Sequence, residues 1–97
     1  MEEKNRFALA MRMGRAALGM SQQEFADALG VAKSTVARNE TLEMAMRADT
    51  LTAMMRLFRE RGIDVDLLGA TDTLTITVTA KGLEALENRR MEKGKEK

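Results

Sequence analysis

Three side chains in one short stretch raise the first chemical question. Lys33, Ser34 and Arg38 fall close together, and no carboxylate interrupts them before Glu40. Cationic and hydroxyl donors without a neighbouring acceptor suit hydrogen bonding to base edges and phosphates. Lys and Arg match the O6 and N7 acceptors that guanine presents in a major groove. The same residues serve catalysis poorly. Lys33 and Ser34 are adjacent, and neighbours on a helix point about 100° apart. The chain contains neither His nor Cys, which removes imidazole bases, thiol nucleophiles, disulfides and zinc sites of the usual ligand types. No glycine-rich phosphate loop is present. These absences predict a protein that is not an enzyme and carries no metal or cofactor.

Donors of this kind work only on a rigid support, and the flanking sequence supplies one. The periodicity of Phe7, Ala8, Met11 and Leu18 predicts a first helix from Lys4 to Leu18, with Gly19 as its C-terminal cap. Ser21 opens the second helix. Glu24 three residues later completes a capping box, and Phe25, Ala26 and Leu29 form the inner face. Gly30 ends that helix at positive φ, and Val31 fills the turn. A third helix, from Ala32 to Asn39, carries Lys33, Ser34 and Arg38 outward and Val36 inward. Segment 41–48 has good helix formers; it either extends the third helix or forms a methionine-lined loop. Asp49 or Thr50 caps a fourth helix that runs to Arg61, with Leu51, Met54, Met55 and Phe58 on its apolar face.

Beyond Gly62 the period changes from 3.6 to 2. Ile63, Val65 and Leu67 alternate with acids, and Leu74, Ile76 and Val78 alternate with threonines. A hairpin with its loop at 68–72 follows. Thr79 caps a last helix from Ala80 to Arg90, and residues 91–97 form a charged tail expected to fray.

The 97 residues, 44% of them apolar, suffice for one modest core. The net charge of +1 is unevenly spread, for between Lys4 and Asn39 six bases meet only Glu24 and Asp27. A basic N-terminal half fits a nucleic-acid face. No apolar run reaches membrane-span length, and the first residues lack the pattern of a signal peptide. A cytoplasmic location is expected.

Residues 15–40 resemble the helix-turn-helix of the lambda-repressor/Cro type, the XRE family. The matching residues are Arg15, Leu18-Gly19-Met20-Ser21-Gln22, Phe25-Ala26, Leu29-Gly30-Val31, Ser34-Thr35-Val36 and Glu40. With the fourth helix, the likeness extends over about residues 4–61. It implies a lambda-repressor-like bundle of four helices over 1–62; the hairpin and helix over 63–90 lie outside the common pattern and complete a mainly α fold. It also implies roles. Gln22 touches a phosphate and buttresses the third helix. Lys33 and Ser34 reach base edges. Thr35 bonds a phosphate, and Arg38 reaches bases or the flanking phosphate. Arg15 and Glu40 form a partly buried ion pair. Thr41-Leu42 stands where many members have Gly and, later, Pro, and Arg47 is the one candidate backbone contact in that loop.

The hairpin admits three readings: packing within its own subunit, a wing on DNA, or a sheet shared by two subunits. Asp64 and Asp66 would meet phosphates badly, and residues 74–78 offer a good pairing edge. The shared sheet is therefore favoured. The sequence reading is a homodimeric transcriptional regulator, a repressor joined through the 63–79 hairpin and reading a palindromic operator on double-stranded DNA. The alternative is an antitoxin that binds its own operator and neutralises a toxin protein, using segment 41–48 or the last helix.

Overall fold

The computed structural model describes residues 3–67 and 73–95. Its elements run α1 (Glu3–Ala17), α2 (Gln22–Leu29), α3 (Lys33–Glu40), α4 (Ala48–Glu60), β1 (Ile63–Asp66), β2 (Thr75–Val78) and α5 (Ala80–Lys95). The start of α2 is fixed locally. The Ser21 hydroxyl accepts from the Glu24 amide at 3.1 Å, and the Glu24 carboxylate accepts from the Ser21 amide at 3.0 Å. The box satisfies amides that a helix start leaves without intrahelical partners. Gly30 closes α2 at φ 75°, in the left-handed region that a side chain disfavours. Its position allows α3 to turn away after only two residues.

The helices converge on Phe25 and Phe58, both fully buried, with ring centroids 5.6 Å apart. Ala10, Met11, Ala26, Val36, Met54 and Ile63 close the core around them. Ala26 is fully buried where α2 and α3 pack, and its single methyl sets how closely they approach. Gly14 has a similar role on α1. A Cβ there would lie 2.2 Å from Cζ of Phe58, so only glycine admits the ring. Val31, expected inside the turn, is only half-buried.

Four details depart from the sequence reading, settle an alternative it left open, or were not foreseen by it. First, α4 begins at Ala48 rather than Thr50. The Asp49 carboxylate accepts the Thr50 amide at 2.8 Å from inside the first turn, where a negative charge complements the helix dipole. Second, segment 41–47 is a turn and not an extension of α3. Leu42 adopts φ 66°, the Asn39 side chain donates to the Met44 carbonyl at 3.1 Å, and the Met44 amide donates to the Arg38 carbonyl at 3.2 Å. Asn39 is buried to make that bond. Third, α5 continues to Lys95 instead of ending at Arg90, since Met91, Glu92 and Lys93 are good helix formers. Fourth, Arg6 is buried and donates to the Asp66 carbonyl at 3.5 Å; the sequence reading gave it no place.

The strands pair antiparallel, Ile63 opposite Val78 and Val65 opposite Ile76. The loop expected at 68–72 lies outside the described residues. The inner face of the hairpin packs on α1 and α4 of its own chain, with Ile63 fully buried, while Thr75 and Thr77 face outward. Thr79 joins the last turn to α5: its hydroxyl donates to the Gly62 carbonyl at 2.7 Å and accepts from the Gly82 amide at 3.4 Å.

Candidate nucleic-acid interface

The eight residues of α3 divide into two faces. Val36, Asn39 and Glu40 are buried, and Lys33, Ser34 and Arg38 are exposed. Thr35 and Ala37 are half-buried between them. At 100° per residue, Ser34, Ala37 and Arg38 share the outward centre and Lys33 flanks it at the N-terminal end. Lys33 and Arg38 form no ion pair among the described residues, so both cations remain available. An eight-residue helix is about 12 Å long, which suits a major groove about 12 Å wide. The structure thus brings Lys33, Ser34 and Arg38 onto one accessible face, with Thr35 at its edge.

What holds that face is a carboxylate with three donors. Glu40, at the end of α3, accepts from Arg15 Nε at 2.7 Å through one oxygen. Its other oxygen accepts from Arg15 Nη2 at 3.0 Å and from Gln22 Nε2 at 3.1 Å. Arg15 also donates to the Met20 carbonyl at 3.0 Å. Side-chain exposure is 5% for Glu40 and 22% for Arg15, so the pair is mostly desolvated. The fork geometry fixes direction as well as distance. The hydrogen bond to Glu40 raises the pKa of Arg15 above its already high ordinary value. One group therefore locks α1, the start of α2 and the end of α3 together. The expected ion pair is present, and Gln22 serves as the expected buttress.

Beside this lock lies an open recess of about 530 Å³ whose walls include Asn5, Arg12, Arg15, Gln22, Glu40 and Thr41. Sequence reading gave Arg12 no role. Arg47 is exposed and pairs with Asp49 at 3.4 Å, which ties down the one candidate contact of the α3–α4 turn.

A second link was missed in the sequence. Arg89 of α5 donates to Glu24 at 2.7 Å, across 65 positions of chain. Glu24 thus serves both its own helix cap and α5. The Ser21 amide, and then Arg89, hold its carboxyl well below the usual carboxylate range, at about 2. Only a three-dimensional contact reveals this pairing, since nothing near Arg89 in sequence marks it off from its charged neighbours.

No helix among the described residues is long and apolar enough to cross a membrane. A family model described as helix-turn-helix matches residues 11–64, more than half of the chain. The matched span runs from the middle of α1 into β1 and contains the whole Arg15–Glu40 lock and all of α3. Comparison with curated proteins and with solved structures gives no match.

Proposed function

The chain belongs to the XRE-type helix-turn-helix family of DNA-binding transcription regulators, and on that footing we propose that it acts as a homodimeric repressor reading a palindromic operator through α3. The observation that carries the reading is the face of α3. Lys33, Ser34 and Arg38 are exposed there without a carboxylate, on a helix held by the buried Arg15–Glu40–Gln22 lock. Lys33, Ser34 and Arg38 take base edges, where each good pair contributes about 1–3 kcal/mol of discrimination. Thr35 and Gln22 take backbone phosphates that set the register of the helix.

Two copies are needed because one short helix reads only a few base pairs. A twofold pair reads half-sites about 34 Å apart, one turn of DNA, or a multiple of it. The 63–79 hairpin is the proposed contact between copies. Among the described residues β1 and β2 pair only with each other, so each keeps an open edge. On α5, which packs on β2, Leu83 and Leu86 are exposed and offer apolar surface of their own, Leu86 beside the α1–α2 junction.

Selection of bound duplexes from a random pool tests the whole reading. A palindromic consensus is expected, and an unstructured set of winners would overturn it. Arg38→Ala is expected to lose affinity for the selected site while binding scrambled DNA nearly as before. Thr35→Ala is expected to weaken both alike. Sedimentation is expected to show a dimer, and a monomer at binding concentrations would remove the homodimer. The same exposed leucines favour a second reading, an antitoxin whose α5 also engages a toxin protein. A neighbouring gene product that co-purifies and loses its toxicity would support it.

A further inference from the structure

We propose that the groove between α1 and α4 seats α5 of a second copy, so that each dimer holds two such contacts related by its twofold axis. The inference rests on the homodimeric reading above and names a surface for it beyond the hairpin. The groove has a volume of about 700 Å³, and half-buried Phe7, Leu51, Met55 and Leu67 form its apolar floor. Leu67 directly follows β1, so the floor continues from the end of the first strand. The α4 wall carries Arg56 and Arg59, three positions apart and exposed. Neither forms an ion pair among the described residues. Two acids also line the groove, Glu60 at the end of α4 and Glu3 across from it on α1.

The matching surface is on α5. Leu83 and Leu86 are 59% and 38% exposed and, three positions apart, form a short apolar ridge. Two exposed leucines alone would need no explanation; the charges beside them single them out. Glu84 and Glu87 repeat the three-residue spacing, are exposed, and form no ion pair among the described residues. The helix need not leave its own bundle to present them. Its inner side is held by Gly82, whose amide reaches Thr79, and by Arg89, which reaches Glu24. Run antiparallel to α4, α5 sets Glu84 opposite Arg59 and Glu87 opposite Arg56, and brings Lys81 toward Glu60. A parallel run would set Lys81 beside Arg56 and Glu87 beside Glu60, so the order of charges selects the antiparallel one. An unrelated partner would have to reproduce that order around two leucines. A second copy already carries it, and this makes the second copy the occupant.

Sedimentation of charge-reversed variants at low salt tests the contact. All four positions are exposed, so circular dichroism and melting of the variants should match the parent. Arg56→Glu with Arg59→Glu is expected to weaken the dimer about a hundredfold, because like charges then meet in both contacts. Glu84→Arg with Glu87→Arg is expected to do the same. An equal mixture of the two variants is expected to recover the parent affinity. Its heterodimer pairs the altered groove with the altered helix and leaves the other contact native. One chain carrying all four changes should recover it as well. Recovery in that chain but not in the mixture would mean that α5 acts on the groove of its own chain, and would overturn the proposal. Dimers of unchanged affinity in every variant would overturn it too, leaving the hairpin contact standing and the groove to some other occupant. A parent that is itself monomeric at these concentrations removes the homodimeric reading, an outcome distinct from a dimer indifferent to the reversals.

Discussion

Replacing Glu40 with alanine should separate the stability of the interface from its charge. The carboxylate is 5% exposed and accepts three hydrogen bonds, two from Arg15 and one from Gln22. Removing one partner of a buried ion pair costs about 3–5 kcal/mol when the survivor stays dry. Arg15 does not stay fully dry. Its side chain is 22% exposed, and it keeps the Met20 carbonyl at 3.0 Å. Water therefore recovers part of the loss, and the expected cost is about 2–3 kcal/mol. For a domain of this size that corresponds to roughly 10–20 °C in melting temperature. Glu40→Gln should cost nearly as much, because its amide N–H group would face other donors. Thermal and urea unfolding followed by circular dichroism measure both. Binding should move differently. A negative charge has left the neighbourhood of the phosphates, so the folded variant should hold scrambled duplex at least as tightly at low salt. A Glu40→Ala variant as stable as the parent within about 0.5 kcal/mol would refute the reasoning, because it would class the lock with surface pairs.

Three further outcomes follow from the geometry. Gly14→Ala sets a helix-propensity gain of about 1 kcal/mol against a Cβ placed 2.2 Å from Phe58 Cζ. Overpacking of about 1–3 kcal/mol or more should win, so urea titration should show a net loss, and a stabilised variant would contradict the close approach. Glu24 has its carboxyl lowered from an ordinary 4.5 to about 2. Its contribution is complete above pH 4.5 and is lost as pH falls from there through about 2. The melting-temperature gap between the parent and Glu24→Gln should thus be flat near neutrality and close in that acid window; a gap that widens on acidification would reverse the sign and the argument. Thr79→Val removes a hydroxyl donating at 2.7 Å to the Gly62 carbonyl, which should cost about 1 kcal/mol. Faster amide exchange in α5, with α3 unaffected, would locate the loss at that junction.

Local rules made the reading head legible, and contacts distant in sequence hid its surroundings. The capping box, the Gly30 turn and the inward Phe25, Ala26 and Val36 each depend on residues a few positions away, so periodicity and spacing suffice for them. The Arg15–Glu40 pair lies 25 positions apart and came from family resemblance alone. Asn39 reads as a polar surface residue, yet it is buried because the turn after α3 needs its amide at the Met44 carbonyl. Arg6 and Gly14 are invisible for a related reason. Nothing beside them in sequence says that a hairpin covers the first or that Phe58 presses on the second. In α5 the side chains from Lys81 to Asn88 are exposed apart from Gly82, so no strong stripe separates Arg89, which pairs, from its solvated neighbours.

The hairpin and α5 are attached to the DNA-binding bundle at separate places, and that bears on how an operator is measured. At one end, Thr79 bridges Gly62 and the first turn of α5, while Gly82 sits so close to the Gly62 carbonyl that a Cβ would approach within 2.6 Å. Farther along, Arg89 grips Glu24 on α2. A helix tied at one point can swing; a helix tied at two points along its length has its direction set relative to α2, and α2 packs directly on α3. Under the homodimeric reading, the contact between copies lies on this same hairpin and α5. The distance and angle between the two recognition helices are then fixed by packed elements rather than by a linker. A palindrome with one fixed half-site spacing is the kind of site such a pair selects. The exposed Arg89–Glu24 pair adds little to stability on its own. Under the homodimeric reading its value lies in direction, since a small rotation of α5 relative to α2 becomes a larger displacement at α3.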